Sequence, residues 1–316
     1  MKPFNHTNAK TLAEAKTALA GGKATIIAGG TDLIGTLKDN VLPTYPAELV
    51  NIKTIAPSLD YIKEEAGVLK IGATTRLADI AANPAINQKY TALAQAASRV
   101  ATPHVRDMGT IGGNLAQLHR CWYFRKPENR FDCIRKGGKA CYAMTGDNRY
   151  HSIFGAVNGC IAVHPSDVAP ALIALNASVV TTARKIAAEN FFDVKVASNT
   201  VLAPGEIITE IQVPAPPAGA KSAFIKFAIR KSIDFPIVNC AVMVGGGQPR
   251  IALNAVAPKP YRAVKAEAAI AGKPINEATA EAAGAAAMED AKPLPATKYK
   301  VQIARTLVKR ALLAAV

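Results

Sequence analysis

The chain has 316 residues, of which 50% are hydrophobic and 19% charged, with a formal net charge of +15. That balance belongs to a folded globular protein of two or three domains, and no apolar run reaches the roughly 18 residues that a membrane-spanning helix needs. The excess of Lys and Arg invites a nucleic-acid reading. The cations are spread over the whole length, however, no basic run is interleaved with aromatics, and no helix-turn-helix or zinc-finger spacing stands out. The charge therefore favours acidic protein partners through steering of association.

In chain order, MKPFNHTNAKTLAEA lacks an apolar core segment, so no secretory signal is expected. Residues 9–21 read as an amphipathic helix ending at Gly21-Gly22. ATIIAGG (24–30) reads as a buried strand closed by a tight turn, and TDLIGTLKD as a helix after it. Strands are expected at 47–52 and 67–73, then one helix over TRLADIAANPAI, stopped near Pro84, and another over KYTALAQAASRVA. Residues 119–160 break this alternation: they are rich in Arg, Lys, Gly, Asn and Tyr, and a loop of that length is functional or disordered. CIAVHPSDVAPALIALNASVVTTA then predicts strand, helix and strand. Beyond about residue 185 the pattern is strand-rich (EIITEIQVP, AFIKFAIRK, IVNCAVMVG, RIALNAVAP), followed by Ala-rich helices.

Two segments are built to hold a phosphate-bearing ligand. In Ile26-Ile27-Ala28-Gly29-Gly30-Thr31-Asp32-Leu33 a strand runs through two glycines into a helix start. Glycines let the backbone approach an anion, and free N–H groups at such a turn favour negative charge. Thr31 either donates its hydroxyl to a phosphate or caps the helix. Gly109-Thr110-Ile111-Gly112-Gly113-Asn114-Leu115 repeats that chemistry about 80 residues on. Neither is a G-x-G-x-x-G fingerprint, so a Rossmann site is not supported; together they suggest one ligand gripped from two sides.

IIAGGTDL, IGATTRLADI, TIGGNLA, HPSDVAPAL and FAIRKSIDFPIV, in that order, resemble segments of the FAD subunits of molybdenum hydroxylases, the xanthine dehydrogenase family. The resemblance covers residues 1 to about 290. It implies an α+β chain of α/β lobes, with an FAD-binding domain of the vanillyl-alcohol-oxidase type over residues 1–178 and a C-terminal domain of the CO-dehydrogenase-flavoprotein type over 179–316 closing over the flavin. It further implies that Ile26–Leu33 together with Thr110, Gly113 and Asn114 hold the pyrophosphate and ribityl chain. Asp167 would lie near the flavin's polar edge, and Lys226 and Asp234 would approach the isoalloxazine ring. The bland reading of Asp167 is a helix N-cap, and of Lys226 a solvated strand residue.

Five cysteines are present. Cys240, in the apolar run VNCAVMV, reads as core. The other four, Cys121, Cys133, Cys141 and Cys160, all fall in the 119–160 stretch without C-x2-C pairs. Four thiolates on a wrapping loop suit a [4Fe–4S] cluster, one per iron. A tetrathiolate zinc site, with His119, His151 or His164 replacing a cysteine, and two disulfides are the alternatives. Most of the family lacks this insertion. The subset that carries it, which includes 4-hydroxybenzoyl-CoA reductase and certain bacterial aldehyde oxidoreductases, implies the [4Fe–4S] cluster.

The resemblance implies an electron-transfer subunit rather than the site of substrate turnover, and no catalytic acid, base or nucleophile is assigned. Its partners would be a large subunit with a molybdenum cofactor and a small subunit with two [2Fe–2S] clusters. A ferredoxin-like carrier would exchange electrons through the insertion, and the substrate would be an aldehyde, a purine or an aromatic acyl-CoA. A cytoplasmic location is expected, or a periplasmic one if a signal-bearing partner exports the chain. The alternative is a stand-alone FAD oxidoreductase with a structural zinc site.

Overall fold

The computed structural model describes residues Met1–Val316. A first lobe holds β1 (Asn5–Asn8), α1 (Leu12–Ala20), β2 (Ala24–Ile27), α2 (Leu33–Lys38) and β3 (Glu48–Asn51). Its three strands are parallel in the order β1-β3-β2. Thr11 starts α1 by accepting from the Glu14 N–H at 3.1 Å, as an N-cap should. β1 was not foreseen, because NHTN is polar and wholly exposed, and only its pairing with β3 makes it a strand.

A second lobe begins with the antiparallel pair β4 (Ile62–Glu65) and β5 (Val68–Gly72). Five short helices follow: α3 (Leu77–Ala82), α4 (Pro84–Lys89), α5 (Thr91–Ser98), α6 (Pro103–Met108) and α7 (Ile111–Ala116). The single helix expected over TRLADIAANPAI is thus two. Asn83 is extended and caps α4 by accepting from the Ile86 N–H at 3.1 Å, while Pro84 occupies the first helical position, where a missing N–H costs nothing.

The 119–160 stretch carries only a short 3-10 turn at Ile134–Lys136 and the four-residue α8 (Tyr142–Thr145). The strand expected at CIAV is absent: the Ala162 N–H turns to Cys160 Sγ at 3.4 Å, and the His164 N–H to Ala257 O at 3.0 Å. The chain continues with α9 (Val168–Ala174), β6 (Ser178–Thr181), β7 (Lys185–Ala187), the hairpin β8 (Phe192–Lys195) and β9 (Ser198–Thr200), and β10 (Ile208–Pro214). Because β10 inserts between β5 and β6, the sheet runs β4-β5-β10-β6-β7. The second lobe therefore continues to residue 214 rather than breaking at 178, and the C-terminal domain starts after that strand.

That domain is an antiparallel meander of β11 (Lys221–Phe227), β12 (Val238–Val244), β13 (Arg250–Asn254) and β14 (Tyr261–Arg262). The helices α10 (Val264–Ile270), α11 (Glu277–Ala286) and α12 (Tyr299–Leu313) complete it. Every residue of β12 is buried, because the sheet is covered on both faces: α5 and α9 pack on one side and α12 on the other. That is why VNCAVMV does not alternate apolar with polar residues, its one polar member, the buried Asn239, being spent on Asp167. Ala241 and Met243 join the core of the second lobe, while Cys240 and Val242 join the core under the C-terminal helices.

Candidate functional site

A cavity of about 710 Å3 opens where the two lobes and the C-terminal domain meet, a volume suited to a cofactor. Ile26 through Leu33 all line it, as do Thr110, Gly113, Asn114, Asp167 and Asp234. The N–H groups of Gly29, Gly30, Thr31, Asp32 and Leu33 donate to no protein acceptor; the first that does is Ile34, to Gly30 O at 3.0 Å. Five consecutive unpaired donors beside a cavity form a cradle of the kind that suits an anion such as a pyrophosphate. Gly30 sits at φ +71, and a Cβ on Gly29 would fall 2.1 Å from the Met108 carbonyl oxygen. Only glycine allows the β2–α2 turn to rest against the α6–α7 turn in this way.

The two glycine turns are therefore neighbours, but they do different jobs. In the second, the N–H groups of Ile111 and Gly112 are bonded to Thr75 O and Ala73 O, and that of Gly113 to Thr110 Oγ1 at 3.2 Å. Thr110 is a helix cap, and Gly112 is small because a Cβ would fall 2.9 Å from Ala73 O. The turn presents a wall rather than a second cradle. Asn114 is fixed by Ser166 Oγ, which donates to its Oδ1 at 2.6 Å.

Asp32 lines the cavity, yet its carboxylate faces the insertion. It accepts from the Leu118 N–H at 2.9 Å and pairs with Arg120 at 3.0 Å and Arg125 at 2.8 Å. Arg125 also donates to His119 O, Leu118 O and Thr36 Oγ1, so it fastens the base of the insertion to α2. Arg120 lies 4.5 Å from the Phe235 ring centroid and borders the cavity. Burial pulls its guanidinium down to about 10, against the pull of Asp32.

Asp167 is not a side-chain cap for α9. It is buried, accepting from Lys226 Nζ at 2.7 Å and Asn239 Nδ2 at 2.7 Å, and burial raises its carboxyl above the usual range. Lys226 does not line the cavity; its ammonium is spent on Asp167 and on Arg99 O at 2.9 Å. It is neither solvated nor free to meet a ligand. Asp234 is held by Arg230 in a loop whose Ile233 has φ +66, a strained setting for a β-branched residue. Ile233, Asp234 and Phe235 all border the cavity, so the C-terminal domain contributes to its wall.

All five cysteines are free thiols in the structure. No set of three His, Cys, Asp or Glu side chains converges as a single metal ion requires. Cys121, Cys133, Cys141 and Cys160 nevertheless form one connected neighbourhood, each within electrostatic reach of at least one other. Burial pushes the Cys121 thiol up to about 12 and also raises Cys133 and Cys160. The groups opposing that rise are donors aimed at sulfur: the N–H groups of Phe124 and Tyr123 at Cys121, of Arg135 at Cys133, and of Ala162 at Cys160. Arg135 Nη1 lies 3.9 Å from Cys160 Sγ, and His151 Nε2 lies 3.3 Å from Cys121 Sγ. Of the eleven buried side-chain N and O atoms without a partner, seven belong to residues 119–160: both nitrogens of His119, Arg120 Nε, Asn129 Oδ1, Lys136 Nζ, Asn148 Oδ1 and His151 Nδ1. Such orphans call for an explanation; the nitrogens among them, with the amide N–H groups aimed at sulfur, are of a kind that would suit an anionic group, whereas the two Asn oxygens are not.

What the sequence did not reveal is which basic residues of the insertion are buried. Arg135 and Lys136 are 3% and 7% exposed, and only their flanking apolar residues Ile134 and Cys133 hinted at it.

Residues 2–216 match the family of FAD-binding domains in molybdopterin dehydrogenase, and residues 223–315 the CO dehydrogenase flavoprotein C-terminal domain. The chain is 35% identical over 284 residues to the aldehyde oxidoreductase FAD-binding subunit PaoB of Escherichia coli, covering 85% of this chain and 86% of that one. It is 29% identical over 323 residues to the carbon monoxide dehydrogenase medium chain of Hydrogenophaga pseudoflava, covering 99% and 96%. The solved structure of carbon monoxide dehydrogenase from that organism superposes with a TM-score of 0.76 at 30% identity, over 100% of this chain and 98% of its own. The chain belongs to the family of FAD-binding subunits of molybdenum hydroxylase-type oxidoreductases.

Proposed function

We propose that this chain is the electron-transfer subunit of a heteromeric molybdenum-dependent oxidoreductase, linking [2Fe–2S] clusters of a small partner subunit, its own FAD, and an external carrier reached through a [4Fe–4S] cluster on Cys121, Cys133, Cys141 and Cys160. Substrate (an aldehyde, a purine or an aromatic acyl-CoA) is turned over on the large molybdenum subunit. The observation that carries the reading is the run of five unpaired N–H groups from Gly29 to Leu33 in the wall of the cavity. FAD, when bound, supplies a centre that exchanges electrons singly or in pairs. The chain's own residues would do the positioning: the Gly29–Leu33 cradle would hold the pyrophosphate, Thr110–Asn114 would form the wall beside it, and the Ile233–Phe235 loop would cover it from the C-terminal domain.

The insertion begins at the cavity wall, since Leu118 and Arg120 border it, and Cys121 follows directly. A cluster there would sit beside the flavin pocket. Exposed Lys126, Arg130, Lys139 and Arg149 give the outer face of the insertion a positive charge suited to an acidic, ferredoxin-like carrier. Cys133→Ser and Cys141→Ser variants of the assembled complex test the reading, with iron, acid-labile sulfide and FAD measured together with ferredoxin-coupled turnover. The expected result is loss of the extra four irons and of the coupling, with FAD retained. Coupling that survives loss of the cluster contradicts the route, and wild-type protein with zinc in place of iron contradicts the cluster.

A further inference from the structure

We propose that Lys136 sets the reduction potential of the cluster in the insertion, by placing a buried ammonium with no protein counter-ion beside the cysteine sulfurs. This rests on the reading that Cys121, Cys133, Cys141 and Cys160 hold a [4Fe–4S] cluster.

Lys136 ends the 3-10 turn that begins after Cys133, and its N–H donates to Cys133 O at 2.7 Å. The residue is 7% exposed, and Nζ finds no acceptor. The Phe124 ring, 5.2 Å from Nζ, supplies a cation–π contact but no hydrogen bond. The carboxylates of the insertion are three, and each is engaged elsewhere: Glu128 with Asn40, Asp132 with Tyr142, and Asp147 with Arg149. The Phe124 ring beneath Nζ packs in one small core with Cys133 and Cys121, which places those two sulfurs in the ammonium's neighbourhood.

Its neighbour Arg135 is the informative contrast. It is as deeply buried and its Nη1 lies 3.9 Å from Cys160 Sγ, but its Nε and Nη2 already have protein acceptors: Lys195 O at 2.6 Å, Asn199 Oδ1 at 2.6 Å and Ser198 O. Arg135 ties the insertion to the β8–β9 hairpin, and its place is explained without any absent group. Lys136 has no such explanation, and a buried cation without a partner is costly. An anionic cluster supplies the missing counter-ion. Because the cluster gains one negative charge on reduction, an adjacent fixed cation stabilises the reduced form more than the oxidised one and raises the potential. Lys136 is a positioning residue in charge rather than in space: it touches neither substrate nor flavin.

The test uses the assembled, anaerobically purified complex carrying Lys136→Met or Lys136→Arg, with iron and sulfide analysis and a redox titration of the extra cluster followed by EPR. With the methionine, the iron content holds and the reduced-to-oxidised ratio at a fixed potential falls at least tenfold, a shift of 59 mV for a one-electron couple. The arginine variant recovers most of that shift. Iron lost from the methionine variant but kept in the arginine variant supports the same charge pairing by another readout. An unchanged midpoint at full iron content overturns the assignment while leaving the cluster in place. Iron lost equally from both variants also overturns it, since position 136 would then be a packing requirement. Wild-type complex without the extra iron removes the underlying reading instead.

Discussion

Gly29→Ala isolates the contact between the two glycine turns. A Cβ at this position would meet the Met108 carbonyl oxygen at 2.1 Å and its carbon at 2.9 Å, both backbone atoms that no rotamer change can move aside. Reaching ordinary van der Waals contact requires the turns to part by roughly 1 Å, a strain of about 1–3 kcal/mol for overpacking of this kind. The same displacement moves the unpaired N–H groups of Gly29–Leu33 away from the ligand they face, and one hydrogen bond to a charged acceptor is worth about 1.5–3 kcal/mol. At about 1.4 kcal/mol per decade, FAD affinity should weaken roughly 10- to 100-fold. Gly35→Ala is the control. It lies in α2, just beyond the cradle, and a Cβ there meets nothing within 4 Å. It should leave FAD affinity within about twofold and gain roughly 0.5–1 kcal/mol of stability as a helix-interior substitution. The assay is titration of the deflavinated chain with FAD by fluorescence, with thermal unfolding of the same samples. Gly29→Ala protein that folds and binds FAD as the wild type does would refute the cradle.

Two further predictions concern buried charge. Lys226→Met strips Asp167 of its partner while Asn239 remains, and should destabilise the chain by about 3 kcal/mol near neutral pH. Burial already holds the Asp167 carboxyl above its ordinary value, so the folded variant binds a proton more readily than the unfolded chain. Its deficit should therefore shrink as pH is lowered, and recover in the double variant with Asp167→Leu, both read by denaturant unfolding. Glu206 behaves oppositely. Burial is the largest influence and pushes it up, but Arg184, the Ala203 N–H and the Thr181 hydroxyl together hold it at about 2, below its ordinary 4.5. Its contribution, roughly 2 kcal/mol after allowance for the half-exposed Arg184, is fully present above pH 4.5 and lost as pH falls toward 2. Glu206→Gln should thus cost stability at pH 6 and less than half as much at pH 3, with the remainder lost as pH approaches 2; an equal cost at pH 6 and pH 3 would contradict the sign.

Local pattern made much of this molecule legible and left pairings hidden. The strand–glycine–helix signature at Ile26–Leu33 and the apolar runs of β10–β13 were readable because each follows from neighbouring residues. That β10 joins β5 across about 140 residues is not written in either segment, which is why the domain boundary was expected too early. The second glycine turn carried the same letters as the first, yet its N–H groups found partners in Ala73 and Thr75, a matter of tertiary contact. Lys226 reached for Asp167 rather than the ligand for the same reason. In the insertion, composition announced a basic loop, while burial of Arg135 and Lys136 depended on the hairpin and the thiols packed around them.

The central claim is most directly tested by the absorption spectrum of the anaerobically purified chain before and after dithionite, with FAD and iron quantified in the same sample. The account predicts flavin bands together with a broad shoulder near 400 nm (roughly where thiolate-bound [4Fe–4S] clusters absorb), both bleaching on reduction, with one FAD and four irons per chain. Flavin bands without iron would contradict the reading of the four cysteines. A folded, colourless protein that takes up no FAD would contradict the account itself.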